Sequence, residues 1–356
     1  MNQLNKLTSD LPITRNEYLA RKIVFIDGLA GCGKTMLSPI ISAFDRVEIL
    51  NYAYEIEYIC SLYYLNKIST DAAYSLIRIF TDLKLYNTMM SRETNFRISD
   101  LSSVFKDARP LRYVKRLFVK GDELVPSKIQ AEQPILSLTT HNLLSFSEPI
   151  FKSLNERVIF IEVVRHPLYM IKQQTLNMES LVADVRDFTI YFSYKGLQLP
   201  YYVYEWKDLF ISSNSVERAV YYIEKLTQMT ENFKRQRYHA GGKQIITIQF
   251  ETFVLNPYMY IRQIEEAVGT SYTKITEKMM KKQNVPRKKI ADGIALAIYK
   301  RCGWKAPQKG LSEREELDSR REALKNKVSR DALAVLDRIS SEYEQKYFAG
   351  RISNGQ

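Results

Sequence analysis

The feature that most constrains this chain is a strand–turn–helix pattern at its start: Lys22-Ile23-Val24-Phe25-Ile26-Asp27-Gly28-Leu29-Ala30-Gly31-Cys32-Gly33-Lys34-Thr35-Met36-Leu37. An apolar run of strand length meets a turn holding three glycines, and helical apolar spacing follows. The turn fits G-x-x-x-x-G-K-[ST], with Gly28, Gly33, Lys34 and Thr35 in the fixed places. Glycines let backbone N–H groups curl around an anion. The opening helical turn adds unpaired donors and the positive end of its dipole. Lys34 brings a mobile point charge and Thr35 a hydroxyl, so the stretch reads as a phosphate-binding loop.

The rest of the chain is arranged around that loop. Met36, Leu37, Ile40, Ile41 and Phe44 recur at helical spacing and predict one buried helix face, with Pro39 as a bend. Val47, Ile49 and Leu50 suggest a second strand, which makes a right-handed βαβ unit and a parallel sheet. Residues 52–130 read as a mostly helical insertion. Its tyrosines (Tyr52, Tyr54, Tyr58, Tyr63, Tyr64, Tyr74 and Tyr86) are read as core or cover residues, with the lining of an acceptor site as the alternative. The basic run Arg109, Arg112, Lys115, Arg116 and Lys120 is read as a solvated helix face, with an anionic substrate as the alternative.

A third strand is expected at Ile135-Leu136-Ser137-Leu138-Thr139, ending in Thr140-His141-Asn142. The near-continuous apolar run Val158–Val164 predicts a strand covered on both faces. It ends in Arg165-His166-Pro167, and Pro167 is placed to open a helix. Asn214-x-x-Glu217 is a capping box ahead of a helix to about residue 234, and His239 reads as a loop residue. Gly241-Gly242 turns into a last strand, Ile245 to Phe250, and residues 257–269 and 313–348 read as helices. The expected fold is α/β, a doubly wound parallel sheet. A lead-in over 1–20 precedes one domain over 21–350, with a helical C-terminal region at about 313–348. Ligands in such folds sit beyond the carboxyl ends of the strands, where Lys34, His141 and Arg165 all fall.

Composition narrows the partners. A formal charge of +12 favours anionic ones, but the lysines and arginines are scattered, which argues against a nucleic-acid track. Cys32, Cys60 and Cys302 have no metal-type spacing, and their odd number argues against a disulfide framework; a reducing, cytoplasmic compartment is expected, and no metal ligands are assigned. No window approaches 18 uninterrupted apolar residues, so no membrane span is expected.

The loop alone leaves the chemistry open. A kinase or NTPase using ATP with Mg²⁺ needs a carboxylate near the loop, and Asp27 and Glu162 are the candidates. A nucleotide-binding regulatory module without turnover would keep the loop and have no need of His141. A third reading comes from resemblance. Phe25–Leu37, Glu156–Pro167 and Ile246–Pro257 resemble, in order, three segments of the sulfotransferases that use 3′-phosphoadenosine 5′-phosphosulfate (PAPS). These are the 5′-phosphosulfate loop, the 3′-phosphate strand, and a strand leading into an asparagine–proline pair. Pro134–Asn142 is similar to the family's strand that ends in threonine–histidine.

The resemblance implies a role for each matched residue. Gly28, Gly31, Cys32, Gly33, Lys34, Thr35 and Met36 would hold the 5′ end of the donor, with Lys34 stabilising the leaving phosphate. Arg165 and Gln173 would grip the 3′-phosphate, and Arg287, within Pro286-Arg287-Lys288-Lys289, is the candidate for the family's late basic motif. His141 would act as base toward a hydroxyl or amine of an unidentified acceptor, for which the basic charge favours an anionic or carbohydrate molecule. The chain departs from the family at Gly31, where relatives carry Lys or Arg, and at Gln173, where relatives often carry serine.

Overall fold

The computed structural model describes residues 11–100, 102–181, 184–239, 242–290, 292–293 and 310–348. Strands β1 (Ile23–Asp27), β2 (Asn51–Tyr52), β3 (Leu136–Thr139), β4 (Val158–Val164), β5 (Tyr191–Tyr194), β6 (Leu197–Pro200) and β7 (Ile245–Gln249) follow one another along the chain. Five of them form a parallel sheet in the order β2–β3–β1–β4–β7, and β5 and β6 make a separate antiparallel hairpin. All of β1 is buried, as is β4 up to Val163, as expected of strands covered on both faces. Phe25 of β1 stacks on Phe160 of β4 with ring centroids 4.9 Å apart. One hydrophobic cluster joins Ala20, the sheet and helices out to Ile339.

The chain leaves β1 toward one side of the sheet to make β2 and β3, then crosses to the other for β4 and β7. Such a reversal opens a crevice at the carboxyl ends of the strands on either side of it. The glycine loop follows β1 there, Thr140-His141-Asn142 follows β3 on one flank, and Arg165-His166-Pro167 follows β4 on the other. The doubly wound α/β architecture is the one the apolar runs predicted.

Several local expectations need correction. The second strand lies at Asn51–Tyr52, beyond the predicted Val47–Leu50; Val47 makes an isolated bridge to Ile135, and β3 inserts between β1 and β2. Phe250 opens the helix Phe250–Leu255, because the Gln249 side chain accepts from the Thr252 N–H and caps it. The capping box is present, with Asn214 and Glu217 each accepting from the other's N–H at 3.0 Å. Its helix runs to His239, which therefore lies in a helix. The C-terminal region is two helices, Glu313–Glu322 and Arg330–Tyr347. Residues 11–20 are tied down, since Asp82 accepts from the Leu19 and Ala20 N–H groups and from Arg15. Residues 1–10, Gly241 and Cys302 lie outside the described residues.

The basic run divides in two. Arg109 donates to the carbonyls of Ser42, Phe44 and Val47. Arg112 and Arg116 pair with Glu48, at 2.6 and 2.7 Å, and the Tyr113 hydroxyl donates to the same carboxylate at 3.0 Å. Glu48 is fully buried. Burial opposes its charge, but the hydrogen bonds and charge of Arg116, with Arg112 and Tyr113, outweigh it and hold the carboxyl below the usual glutamate range. Three of the five cations are thus interior struts, and only Lys115 and Lys120 are exposed. Among the described residues no helix is long and apolar enough to cross a membrane.

Candidate active site

The glycines of the loop are there for space as well as dihedral angle. Gly28, Gly31 and Gly33 have φ of 144°, 87° and 113°. A Cβ at Gly28 would stand 2.4 Å from the Val163 carbonyl oxygen of β4. At Gly33 it would stand 2.3 Å from the Phe250 ring. The loop therefore lies flush against β4 on one side and the Phe250 ring on the other, where no side chain fits. It closes with Cys32 N–H donating to Leu29 carbonyl at 3.1 Å, and the helix Lys34–Ser42 begins at once. The Thr35 N–H precedes any possible intrahelical partner and remains a donor for an anion, whereas the Lys34 N–H is directed at the Cys32 sulfur. Met36 and Cys32 are buried beneath them, and burial raises the Cys32 thiol pKa. Thr35 is half-buried. The Lys34 ammonium is folded across the loop, donating to the Gly28 carbonyl and, at 3.4 Å, to that of Leu29.

On the β4 flank, Arg165 donates to the Gly31 carbonyl at 3.0 Å. Its guanidinium lies over two rings, Phe250 at 4.3 Å and Tyr169 at 5.0 Å from their centroids, and its Nε is buried without a partner. Pro167 opens the helix Pro167–Ser180, which brings Gln173 beside Gly31; a Cβ at Gly31 would lie 3.3 Å from the Gln173 Oε1. Gln174 donates to the Ala30 carbonyl at 2.9 Å. Arg287 also stands near the Phe250 ring, its guanidinium 5.7 Å from the centroid and donating to the Asn284 and Ile290 carbonyls, each at 3.1 Å. Arg165 and Arg287 are 122 positions apart in sequence, by the difference of their numbers, and share one aromatic support beside the loop.

On the β3 flank, Asp27 is an organiser. Its carboxylate accepts from the Thr140 hydroxyl at 2.8 Å and from the N–H groups of Leu143 and Leu144 at 3.1 and 2.8 Å. Asn142 N–H donates to the Gly28 carbonyl at 3.3 Å, so the turn carrying His141 is stitched to the loop. His141 Nδ1 lies 3.1 Å from Glu57 Oε1, which also accepts the His141 N–H at 3.0 Å. With Nδ1–H donated to the carboxylate, Nε2 carries the lone pair. The imidazole lies near-parallel to the rings of Tyr52 and Tyr54, 6.0 and 5.9 Å away, and remains 43% exposed. Burial, with Tyr52 and Glu57 alongside, pushes the Tyr54 hydroxyl pKa up to about 12.

The sequence reading missed Glu57 and Phe250. Glu57 sits on the helix Tyr54–Tyr64 among tyrosines, and its pairing with His141 across 84 residues has no local signal. The two carboxylates considered for a metal are otherwise engaged. Asp27 holds the His141 turn, and Glu162 binds the Lys234 ammonium and the Thr247 hydroxyl, each at 2.8 Å. His166, which had no assigned role, is buried at the N-terminus of its helix and accepts from the Leu168 N–H.

No protein-family model matches the chain, and no curated protein is matched by its sequence. Among solved structures it is similar to the sulfotransferase domain from the curacin biosynthetic pathway. The identity is 13%, the match covers 85% of this chain and 97% of that one, and the TM-score is 0.41. It is similar to the sulfotransferase domain from the Synechococcus PCC 7002 olefin synthase at 12% identity, with 93% and 98% covered and a TM-score of 0.41. The sulfotransferase STF9 from Mycobacterium avium matches at 14% identity, with 97% and 80% covered and a TM-score of 0.39.

Proposed function

We propose that this chain is a sulfotransferase that moves a sulfuryl group from PAPS to a hydroxyl or amine of an acceptor. The observation that carries the reading is the pair of arginines, Arg165 and Arg287, braced on Phe250 beside the glycine loop. A loop of N–H groups with Lys34 suits a 5′-phosphate. A separate pair of guanidinium groups next to it suits a second phosphate on the same nucleotide, which PAPS has at its 3′ position and ATP lacks. Gln173, beside Gly31, is placed to add a neutral donor.

The chemistry is an in-line displacement at sulfur. The acceptor oxygen or nitrogen forms a bond to sulfur as the bond from sulfur to the 5′-phosphate oxygen breaks, and adenosine 3′,5′-bisphosphate leaves. Negative charge grows on the 5′-phosphate. N–H groups of the loop, those of Gly31, Gly33 and Thr35, would offset it, joined by the Lys34 ammonium once it swings off the Gly28 carbonyl. The acceptor proton goes to His141 Nε2, and Glu57 fixes the tautomer and balances the imidazolium that forms. His141 is the catalytic base in this scheme and Glu57 a positioning residue. The tyrosines about His141 form the adjoining wall, which an aromatic or sugar ring can lie against.

Turnover tests the reading. With PAPS and a panel of phenols, amines and oligosaccharides, in the presence of EDTA, the protein should release adenosine 3′,5′-bisphosphate in step with a sulfated product. Hydrolysis of ATP, or transfer of its phosphate, with an absolute need for Mg²⁺ and no turnover of PAPS would replace it with a kinase or NTPase.

A further inference from the structure

The basic run that the proposed chemistry leaves unused points to a surface function. Its helix, Pro110–Arg116, is anchored from within by Glu48, which takes Arg112, Arg116 and Tyr113. That anchoring turns the opposite face outward. Leu111 is 69% exposed and Phe118 84% exposed, and the spacing Leu111, Lys115, Phe118 puts the three on one side of the helix and its continuation. Hydrogen bonds from Leu117 N–H to Val114 carbonyl and from Phe118 N–H to Lys115 carbonyl carry the turn that far. Leu117 and Val119 are 50% and 55% exposed, so three consecutive apolar residues protrude. Exposed apolar runs of this kind weaken solubility and are not kept without use.

The charge around this tip is mainly basic. Residues 108–121 contain Arg109, Arg112, Lys115, Arg116 and Lys120 and no Asp or Glu; of the acids that border them, Asp107 is half-buried, Asp122 pairs with Arg92 at 2.8 Å, and Glu123 is exposed. Lys115 and Lys120 are exposed and flank Leu117-Phe118-Val119, and exposed Lys106 stands on the neighbouring turn next to exposed Phe105. Among the described residues none of these three lysines has an ion-pair partner. A protruding tip of Phe, Leu and Val flanked by unpaired ammonium groups matches an interface whose outer layer is anionic and whose interior is hydrocarbon. We propose that the 105–120 tip docks the protein on anionic lipid bilayers, with Phe118 inserted among the acyl chains and Lys106, Lys115 and Lys120 at the headgroups. This contact is peripheral and independent of the reaction assigned to the site.

The test is co-sedimentation of the full chain with vesicles of phosphatidylcholine, with and without phosphatidylserine, at low and high salt. Binding to the phosphatidylserine vesicles is expected, weakening as salt rises. Phe118→Ser should abolish it, and Lys115→Gln and Lys120→Gln should each weaken it by roughly fivefold. Lys281→Gln, at an exposed lysine of the helix Lys274–Lys282, should leave it unchanged. Three results would overturn the proposal: no sedimentation with anionic vesicles; sedimentation that Phe118→Ser does not alter; or equal weakening by Lys281→Gln, which would reduce the effect to overall charge. Lipid-free self-association abolished by Phe118→Ser, without vesicle binding, would assign the patch to a second copy of the chain instead.

Discussion

Replacing Arg165 with alanine separates the phosphate sites that the proposed function depends on. Among the described residues the side chain makes one hydrogen bond, to the Gly31 carbonyl at 3.0 Å, and it lies over two rings. Its loss from the free protein should lower stability by about 1–2 kcal/mol, from two cation–ring contacts of roughly 0.5–1 kcal/mol each. Loss of its contact with a phosphate should be larger, about 1.5–3 kcal/mol for hydrogen bonds to a charged group. That corresponds to about 10- to 150-fold in Kd. The assay is calorimetric titration with adenosine 3′,5′-bisphosphate and with ADP, which lacks the 3′-phosphate. Wild type should prefer the bisphosphate, and Arg165→Ala should lose that preference by the stated factor while its ADP affinity holds. Arg165→Lys should recover little, because a point charge cannot make the two-pronged contact of a guanidinium. Equal weakening toward both ligands would mean that Arg165 merely props the loop through Gly31. An unchanged preference would refute the assignment outright.

The loop and the basic run give further tests. Gly33→Ala drives a Cβ into the Phe250 ring, whereas Gly196→Ala, also at positive φ, meets nothing within 4 Å. Urea unfolding should show about 1 kcal/mol lost at Gly196 and about 2–4 kcal/mol at Gly33, with nucleotide binding lost at Gly33 alone; equal effects would show that the ring yields freely. Glu48→Gln takes the buried anion from the Arg112 and Arg116 cluster, leaving only Glu132, 3.7 Å from Arg112, and should destabilise by about 3–5 kcal/mol. Because the native Glu48 pKa is depressed, its stabilisation is full above the ordinary value of 4.5 and is lost as pH falls through the lower native one. The melting temperature of wild type should therefore converge on that of Glu48→Gln in acid, and a constant gap down to the lowest accessible pH would contradict the charge account.

What could be read from the sequence was local. The glycine loop, β1 and β4 announce themselves because consecutive residues carry the whole signal, an apolar run followed by a fixed spacing. The strand ends at His141 and Arg165 followed from the same runs. Long-range pairing was not legible. Nothing in residues 22–52 reveals that β3 comes between β1 and β2, since the strand that fills the gap lies some 85 residues further on (from residue 51 to residue 136). The arginines of 109–120 looked solvated because Glu48, the anion that draws two of them inside, lies 68 residues before Arg116. Glu57 and Phe250 were invisible for the same reason. One serves a histidine on a distant strand end, and the other is a strand-like aromatic whose use is to fill the space that Gly33 leaves.

The central claim is that the loop and the arginine pair read one nucleotide carrying phosphates at both its 5′ and 3′ positions. The most direct measurement is calorimetric binding of adenosine 3′,5′-bisphosphate against ATP, each with Mg²⁺ and with EDTA. The account predicts tight binding of the bisphosphate that is indifferent to the metal, with ATP weaker under both conditions. Preference for ATP, appearing only with Mg²⁺, would contradict it and make Lys34 and Thr35 the centre of a phosphoryl-transfer site.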